Sequence, residues 1–480
     1  MITIVGGGPA GMAAALAAAK FGAKVRLIES SPRLGGQYWR HLPEDGPDGW
    51  SGQASLHSAY QDGFLLRNQV LSQPNIEVLC GLQIWSAVRV AERITFQVLD
   101  AGISRTLETR ILILATGAYD RTLPFPGWEI PGVMTPGGVQ ALLKGSNVLA
   151  GKRIVLAGSG PFLLPVADGL VKSGAKIVAL LDANSLRKWL SHLGVAINNI
   201  SKLKEGLGYL RNLAIHRVFL RSGYAVISAQ AGADGTLEAV EVSKIDQNFN
   251  LVAGTQKIMN CDVVAVGWGF TPDLSIAQNL GLQMEMGWDQ SAVVSVDELQ
   301  ATSQSGIFAA GEITGIGGAE LSITEGTIAG QAAADYLKKI ERSATREKIS
   351  TLLKRREKER GFARAIAQIY RVKNGWQKWL TDESIICRCE EVSLGALKRS
   401  IHELGATDVR SAKLFCRVGM GACQARICSR SVVAIVAAEN KVNPLLQDHI
   451  SANSRPIFAP ITLGQLAGEV AESSGVPESL

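Results

Sequence analysis

The chain has 480 residues, too many for one compact domain and enough for two to four. With 46% hydrophobic and 19% charged residues it can bury several ordinary cores, which excludes a disordered chain. Its net charge of +6 is scattered rather than gathered on an arm, so no nucleic-acid partner is expected.

Ile2–Val5 is a short apolar run suited to a buried parallel strand. Gly6-Gly7-Gly8-Pro9-Ala10-Gly11 follows and fits G-x-G-x-x-G at Gly6, Gly8 and Gly11. Gly6 permits the tight turn, Gly8 lets the backbone approach a pyrophosphate, and Gly11 lets the next helix sit close to the strand. Pro9 and Ala10 complete a loop whose free N–H groups and helix dipole would face the phosphates. The Ala-rich helix Met12–Phe21 and the strand Lys24–Ile28 then lead to Glu29, placed to accept hydrogen bonds from ribose hydroxyls. The apolar N-terminus lacks a basic region and is not read as a signal peptide.

The strand Ile111–Leu114 runs into Ala115-Thr116-Gly117, which resembles the ATG motif of flavoproteins with two dinucleotide domains, where the turn passes near the flavin nucleotide. Gly306–Glu312 resembles their GIFAAGD motif, in which the acid hydrogen-bonds the ribityl chain of FAD; here Gly311 is kept and Glu312 replaces Asp, a carboxylate that can still accept such a bond, with one extra methylene to place. Between these two segments a second strand, Arg153–Ala157, enters Gly158-Ser159-Gly160-Pro161-Phe162-Leu163. Leu163 stands where the third glycine would, and Asp182 ends the following strand, which disfavours a 2′-phosphate and hence NADP. Either an adenine nucleotide binds at Gly158, Gly160 and Asp182, or these glycines only form a turn. No Cys-x-x-Cys occurs in this segment, which removes a thiol–disulfide reductase.

The expected class is therefore α/β, with two dinucleotide-binding, Rossmann-like domains of the disulfide-reductase flavoprotein type, the second inserted in the first. A split FAD-binding domain occupies 1–120 and 262–338, and the second domain 121–261. A helical linker follows at 339–383. Its basic run Lys354–Arg360 is interrupted by acids at helical spacing and reads as a solvated face, while Trp376 and Trp379 dock the linker on the body.

Five of the seven cysteines fall in the last hundred residues, and in a reducing compartment such a cluster binds metal more often than it forms disulfides. Cys387-Arg388-Cys389 and Cys423-x4-Cys428, separated by enough chain for two short helices, bring four thiolates from two loops, as a [2Fe-2S] cluster requires. They define a small helical module at 384–440. Gly419, Met420 and Gly421 suggest a tight turn around sulfur, and Arg388, Arg417 and Arg426 would offset the cluster's negative charge. Zinc is the rival metal, although its modules usually show C-x2-C knuckles; Cys416 is a rival ligand. Cys80 and Cys261 read as core residues. The tail, 441–480, has spaced prolines (Pro444, Pro456, Pro460) and reads as extended. No stretch reaches the roughly 20 apolar residues of a membrane span, so a cytoplasmic protein is expected, membrane-associated only through an electron acceptor.

With these residues in hand, the chain resembles the α-type subunits of heteromeric amine-oxidising flavoenzymes: opine oxidases for octopine and nopaline, hydrogen cyanide synthase, hydroxyproline and proline dehydrogenases, and heterotetrameric sarcosine oxidase. The resemblance is carried by Gly6–Gly11, Gly35-Gly36-Gln37-Tyr38, Pro126-Gly127-Trp128, Pro131–Gly138, Ala157–Pro161, Gly311-Glu312 and the two cysteine pairs, which are similar to bacterioferritin-associated ferredoxin. It adds Gly36 and Gln37 to the cofactor-binding set. It implies a partner β subunit with its own FAD that oxidises the amine, here an opine or related N-substituted amino acid in amino-acid catabolism, and an α subunit that relays electrons to a downstream acceptor. Some members carry FMN at the subunit interface. The six histidines (His41, His57, His192, His216, His402, His449) form no constellation suited to amine chemistry, so no catalytic base is assigned to this chain. Two other classes compete: a self-contained NAD(P)H-dependent ferredoxin-type reductase, and a regulatory iron–sulfur module on a dead flavin fold.

Overall fold

The computed structural model describes residues 1–43, 56, 59–185, 188–189 and 200–467. His57, His192 and the end of the tail lie outside these residues. The first sheet has five strands in the order Ile307–Ala309, Ile111–Leu114, Ile2–Val5, Val25–Glu29 and Ile76–Cys80. All are parallel, and the continuous apolar runs ITIV and ILIL are buried along their whole length, as strands covered on both faces must be. The helix Pro9–Lys20 is rich in alanine, and its small side chains let the helix Ala319–Leu337 lie directly on it. A Cβ on Gly326 would stand 2.1 Å from the carbonyl oxygen of Ala10, so that approach is open only to glycine. Because Ile307–Ala309 returns beside Ile111–Leu114, the first domain is split and the second is inserted in it.

The second sheet runs Leu220–Ser222, Lys176–Asp182, Arg153–Gly158, Val263–Gly267, Val133–Met134. This corrects the boundary expected at 262: Val263–Gly267 pairs with Arg153–Gly158, not with the FAD sheet. Two buried parallel sheets call for the same unbroken apolar run, so the pattern names a strand without naming its sheet. The two crossings between domains, Ala118–Asp120 and Phe270–Pro272, pair antiparallel side by side.

Trp376 and Trp379 dock as expected, both buried, with the Trp379 indole N–H donating to the Phe249 carbonyl at 2.9 Å. The solvated face expected for the basic run is half corrected. Arg355 and Glu359 pair at 2.8 Å, one turn apart, but Arg356 and Arg360, also one turn apart, point inward. A run this dense in charge hides which side of the helix meets the body.

The cysteine module consists of a short hairpin, Ile385–Cys387 with Val392–Ser393, and the helices Leu394–His402, Val409–Cys416 and Ser429–Glu439. Ser393 caps the first helix and Asp408 boxes the second with Ser411. Its apolar interior is continuous with that of the second domain, so the module is built into the body. The tail is also corrected: Leu446–Asn453 is a helix bracketed by the prolines rather than prevented by them, and the Phe458 N–H then donates to the Trp85 carbonyl at 3.0 Å.

Candidate flavin cavity and iron–sulfur loop

A cavity of about 750 Å³ opens above the carboxyl ends of the first sheet, where ligands bind in open α/β folds. Of the residues expected for FAD, Gly6, Gly8, Pro9, Ala10, Glu29 and Gly36 line it. Gln37, Ala115, Thr116, Gly117 and Glu312 complete its wall, whereas Gly11 and Gly311 do not line it. None of the four described histidines reaches it.

Glu29 holds the phosphate turn together. Its carboxylate accepts from the N–H of Gly7 at 2.6 Å and of Ser31 at 2.7 Å. Thr116 Oγ1 donates to the Asp273 carbonyl at 2.7 Å and thereby ties the two interdomain crossings. Glu312 accepts from the N–H of Gly318 at 2.7 Å and of Gly317 at 3.2 Å, so the longer side chain reaches the glycine turn before the helix Ala319–Leu337. Burial pushes its carboxyl up to about 7, against the pull of those two donors.

Behind this wall lies a pair that no sequence motif revealed. Glu325 is fully buried and accepts from Gly311 N–H at 3.0 Å, from Thr314 Oγ1 at 2.7 Å and from Arg360 at 2.7 Å. The linker helix is thus clamped to the turn that carries Glu312. Arg360→Met is expected to lower stability by about 3 kcal/mol, because it leaves a buried carboxylate without its cation. Thermal or urea unfolding of the variant beside the parent checks this.

In the second fold, the glycine turn is occupied by the chain itself. Ser159 Oγ donates to the Tyr370 carbonyl at 2.9 Å and accepts from Asn184 Nδ2 at 2.7 Å. Trp189 donates to the Tyr370 hydroxyl at 3.2 Å. Asp182 accepts from Asn184 N–H at 2.7 Å, and its burial pushes it up to about 7 against the N–H donors of Asn184 and Gly160. Phe162, from the same loop, turns into the flavin cavity edge-on to Phe270, with ring centroids 5.1 Å apart.

The four expected cysteines come together. Cys387 and Cys428 are 1% and 2% exposed, Cys423 is half-buried and Cys389 is exposed. Cys428 feels each of the other three thiols, Cys387 most strongly, and Cys389 and Cys423 act on each other. The hydrogen bond with Cys428 draws Cys387 down to about 6 against its burial, helped by the N–H of Gly419 at 3.4 Å. Gly421 passes so close to Cys389 that a Cβ there would lie 2.2 Å from the cysteine's own. Four thiols from two loops, with backbone N–H groups directed at Cys387 and Cys423, are the donor set that would hold a [2Fe-2S] cluster. Cys416 instead bonds back to the Ala412 carbonyl in its own helix at 3.1 Å. The arginines do less for the sulfurs than expected: Arg388 stacks over Trp128 at 5.2 Å, Arg417 pairs with Glu390 at 2.8 Å, and Arg426 lines the flavin cavity. That last placement has no sequence signal, since it depends on how the module docks.

Residues 1–200 and 235–334 match the family model of pyridine nucleotide-disulphide oxidoreductases, and 385–438 match the BFD-like [2Fe-2S] binding domain. The chain belongs to this oxidoreductase family and carries that iron–sulfur domain. The opine oxidase A-subunit of Agrobacterium tumefaciens (strain Ach5) is 31% identical over 97% of this chain and 91% of its own length. Hydrogen cyanide synthase subunit HcnB of Pseudomonas protegens is 31% identical over 88% of this chain and 89% of its own. The expected resemblance to the α-type subunits of opine-oxidising flavoenzymes is borne out. In fold, L-proline dehydrogenase from P. horikoshii superposes with a TM-score of 0.65 at 18% identity, over 97% of this chain and 78% of that one. No helix among the described residues is long and apolar enough to cross a membrane.

Proposed function

We propose that the chain is the electron-transfer subunit of a heteromeric dehydrogenase whose partner subunit oxidises the secondary amine of an opine or related N-substituted amino acid. The observation that carries this reading is the cysteine loop standing in the wall of the flavin cavity, through Arg426. FAD and a [2Fe-2S] cluster, when bound, supply a relay between two-electron and one-electron chemistry. The chain's own part is to hold both. The Gly6–Gly11 turn and the helix dipole behind it receive the pyrophosphate, Glu29 fixes that turn, and Cys387, Cys389, Cys423 and Cys428 grip the irons. The substrate class follows the names of the relatives, opine oxidase among them.

The second fold serves as scaffold in this reading. Its phosphate turn is bonded to Tyr370 and Asn184, and its acid is engaged by its own loop. NADH is therefore expected to leave the absorbance of the purified, cofactor-loaded chain unchanged under anaerobic conditions. An opine is expected to bleach it only in the presence of the partner subunit. Bleaching of the isolated chain by NADH would instead establish a pyridine-nucleotide reductase.

A further inference from the structure

We propose that Arg426 is a positioning residue that couples the flavin cavity to the cysteine loop; this deepens, and rests on, the relay reading above. Arg426 lies between the two ligands Cys423 and Cys428, yet its side chain leaves the loop and enters the cavity wall. There it is held on three sides. Nη2 donates to the Phe458 carbonyl at 2.7 Å and to Ser275 Oγ at 3.0 Å, and Nε stands 3.7 Å from the Asp273 carboxylate. Asp273 also accepts, through its carbonyl, the hydroxyl of Thr116 in the flavin turn. One unbroken set of contacts therefore runs from that turn to the metal loop.

A second link reinforces the first. Thr122, six residues beyond Thr116, donates to the Ile427 carbonyl at 2.8 Å, one residue from Cys428. The cysteine loop is thus pinned to the body at Arg426 and again at the next residue, Ile427. A single electron passed from the flavin to the cluster oxidises one centre and reduces the other. One planar guanidinium, always charged and only partly solvated, stands in the cavity wall while its own backbone belongs to the metal loop. Lys would keep the charge but lose the fork whose Nη2 and Nε face the Phe458 carbonyl and the Asp273 carboxylate at once.

The test uses full-length holoprotein and two variants. Arg426→Met is expected to keep iron and flavin contents at the parental level. Its flavin midpoint potential should fall, and the cluster should be reduced roughly 10-fold more slowly after flash reduction of the flavin. Arg426→Lys should restore the potential but not the rate. Unchanged potential and rate in Arg426→Met would overturn the proposal. If that variant loses iron, Ser275→Ala and Asp273→Asn, which each remove one hold on the guanidinium without altering the cysteine loop, carry the test, and parental kinetics in both would overturn it. A parent lacking either flavin or iron would sink the relay reading itself, which is a separate outcome.

Discussion

Cys428→Ser is expected to yield a protein that keeps its flavin but loses its iron and inorganic sulfide. The residue is almost fully buried at the start of the helix Ser429–Glu439, in thiol contact with Cys387. Iron is held by thiolate, and a serine hydroxyl at that place ionises far too reluctantly to replace it. The effect should extend beyond the metal. Cys387 and Cys428 belong to the apolar interior that the module shares with the second domain, so removing the cluster takes away part of what holds that interior together. Proteolysis should then cut first within the cysteine module, while the FAD sheet stays intact. Cys416→Ser is the matched control, since that sulfur bonds only within its own helix among the contacts described. It should retain full iron. Iron and sulfide analysis with visible spectroscopy decides the matter, and a Cys428→Ser protein with its iron undiminished would remove this residue from the ligand set.

How much of this could be seen in the sequence depended on the range of the interaction. The Gly6–Gly11 turn was legible because strand, glycine spacing, helix and Glu29 follow one another within a single βαβ unit. The four cysteines were legible because two short loops with fixed spacing must meet at one point. Long-range packing left no such trace. Val263–Gly267 reads as a buried strand in either sheet, and only its hydrogen bonds to Arg153–Gly158 assign it. Arg360 is one of five cations in a run of seven charged residues, and nothing local marks it as the partner of Glu325. Arg426 reads in the sequence as a charge near sulfur, yet the docking of the module turns it toward the flavin cavity instead. The tail helix leaves no mark of its own in the sequence, because spaced prolines read as an extended chain even when, as here, they stand outside Leu446–Asn453.

The glycine turn allows fold and ligand to be separated by two neighbouring substitutions. Gly11→Ala should damage the fold: its Cβ would lie 1.7 Å from the carbonyl oxygen of Gly6, so the helix Pro9–Lys20 must shift off the sheet. Overpacking of this kind costs about 3 kcal/mol or more, and FAD would be lost with the distorted turn. Gly8→Ala should behave differently. Gly8 has φ −78° and ψ −172°, which any residue adopts, and an added Cβ would meet only the Gly36 Cα at 3.8 Å. The apo fold should therefore keep its unfolding temperature. The same methyl group, however, stands in the cavity where the backbone must approach the pyrophosphate. Losing two charge-assisted N–H contacts at about 1.5 kcal/mol each amounts to roughly 100-fold weaker FAD binding. Thermal unfolding of the two apo variants and FAD titration by fluorescence read both effects. Parental FAD affinity in Gly8→Ala would mean that the phosphates do not sit on this turn, while a large loss of apo stability in the same variant would mean that Gly8 serves the fold rather than the ligand.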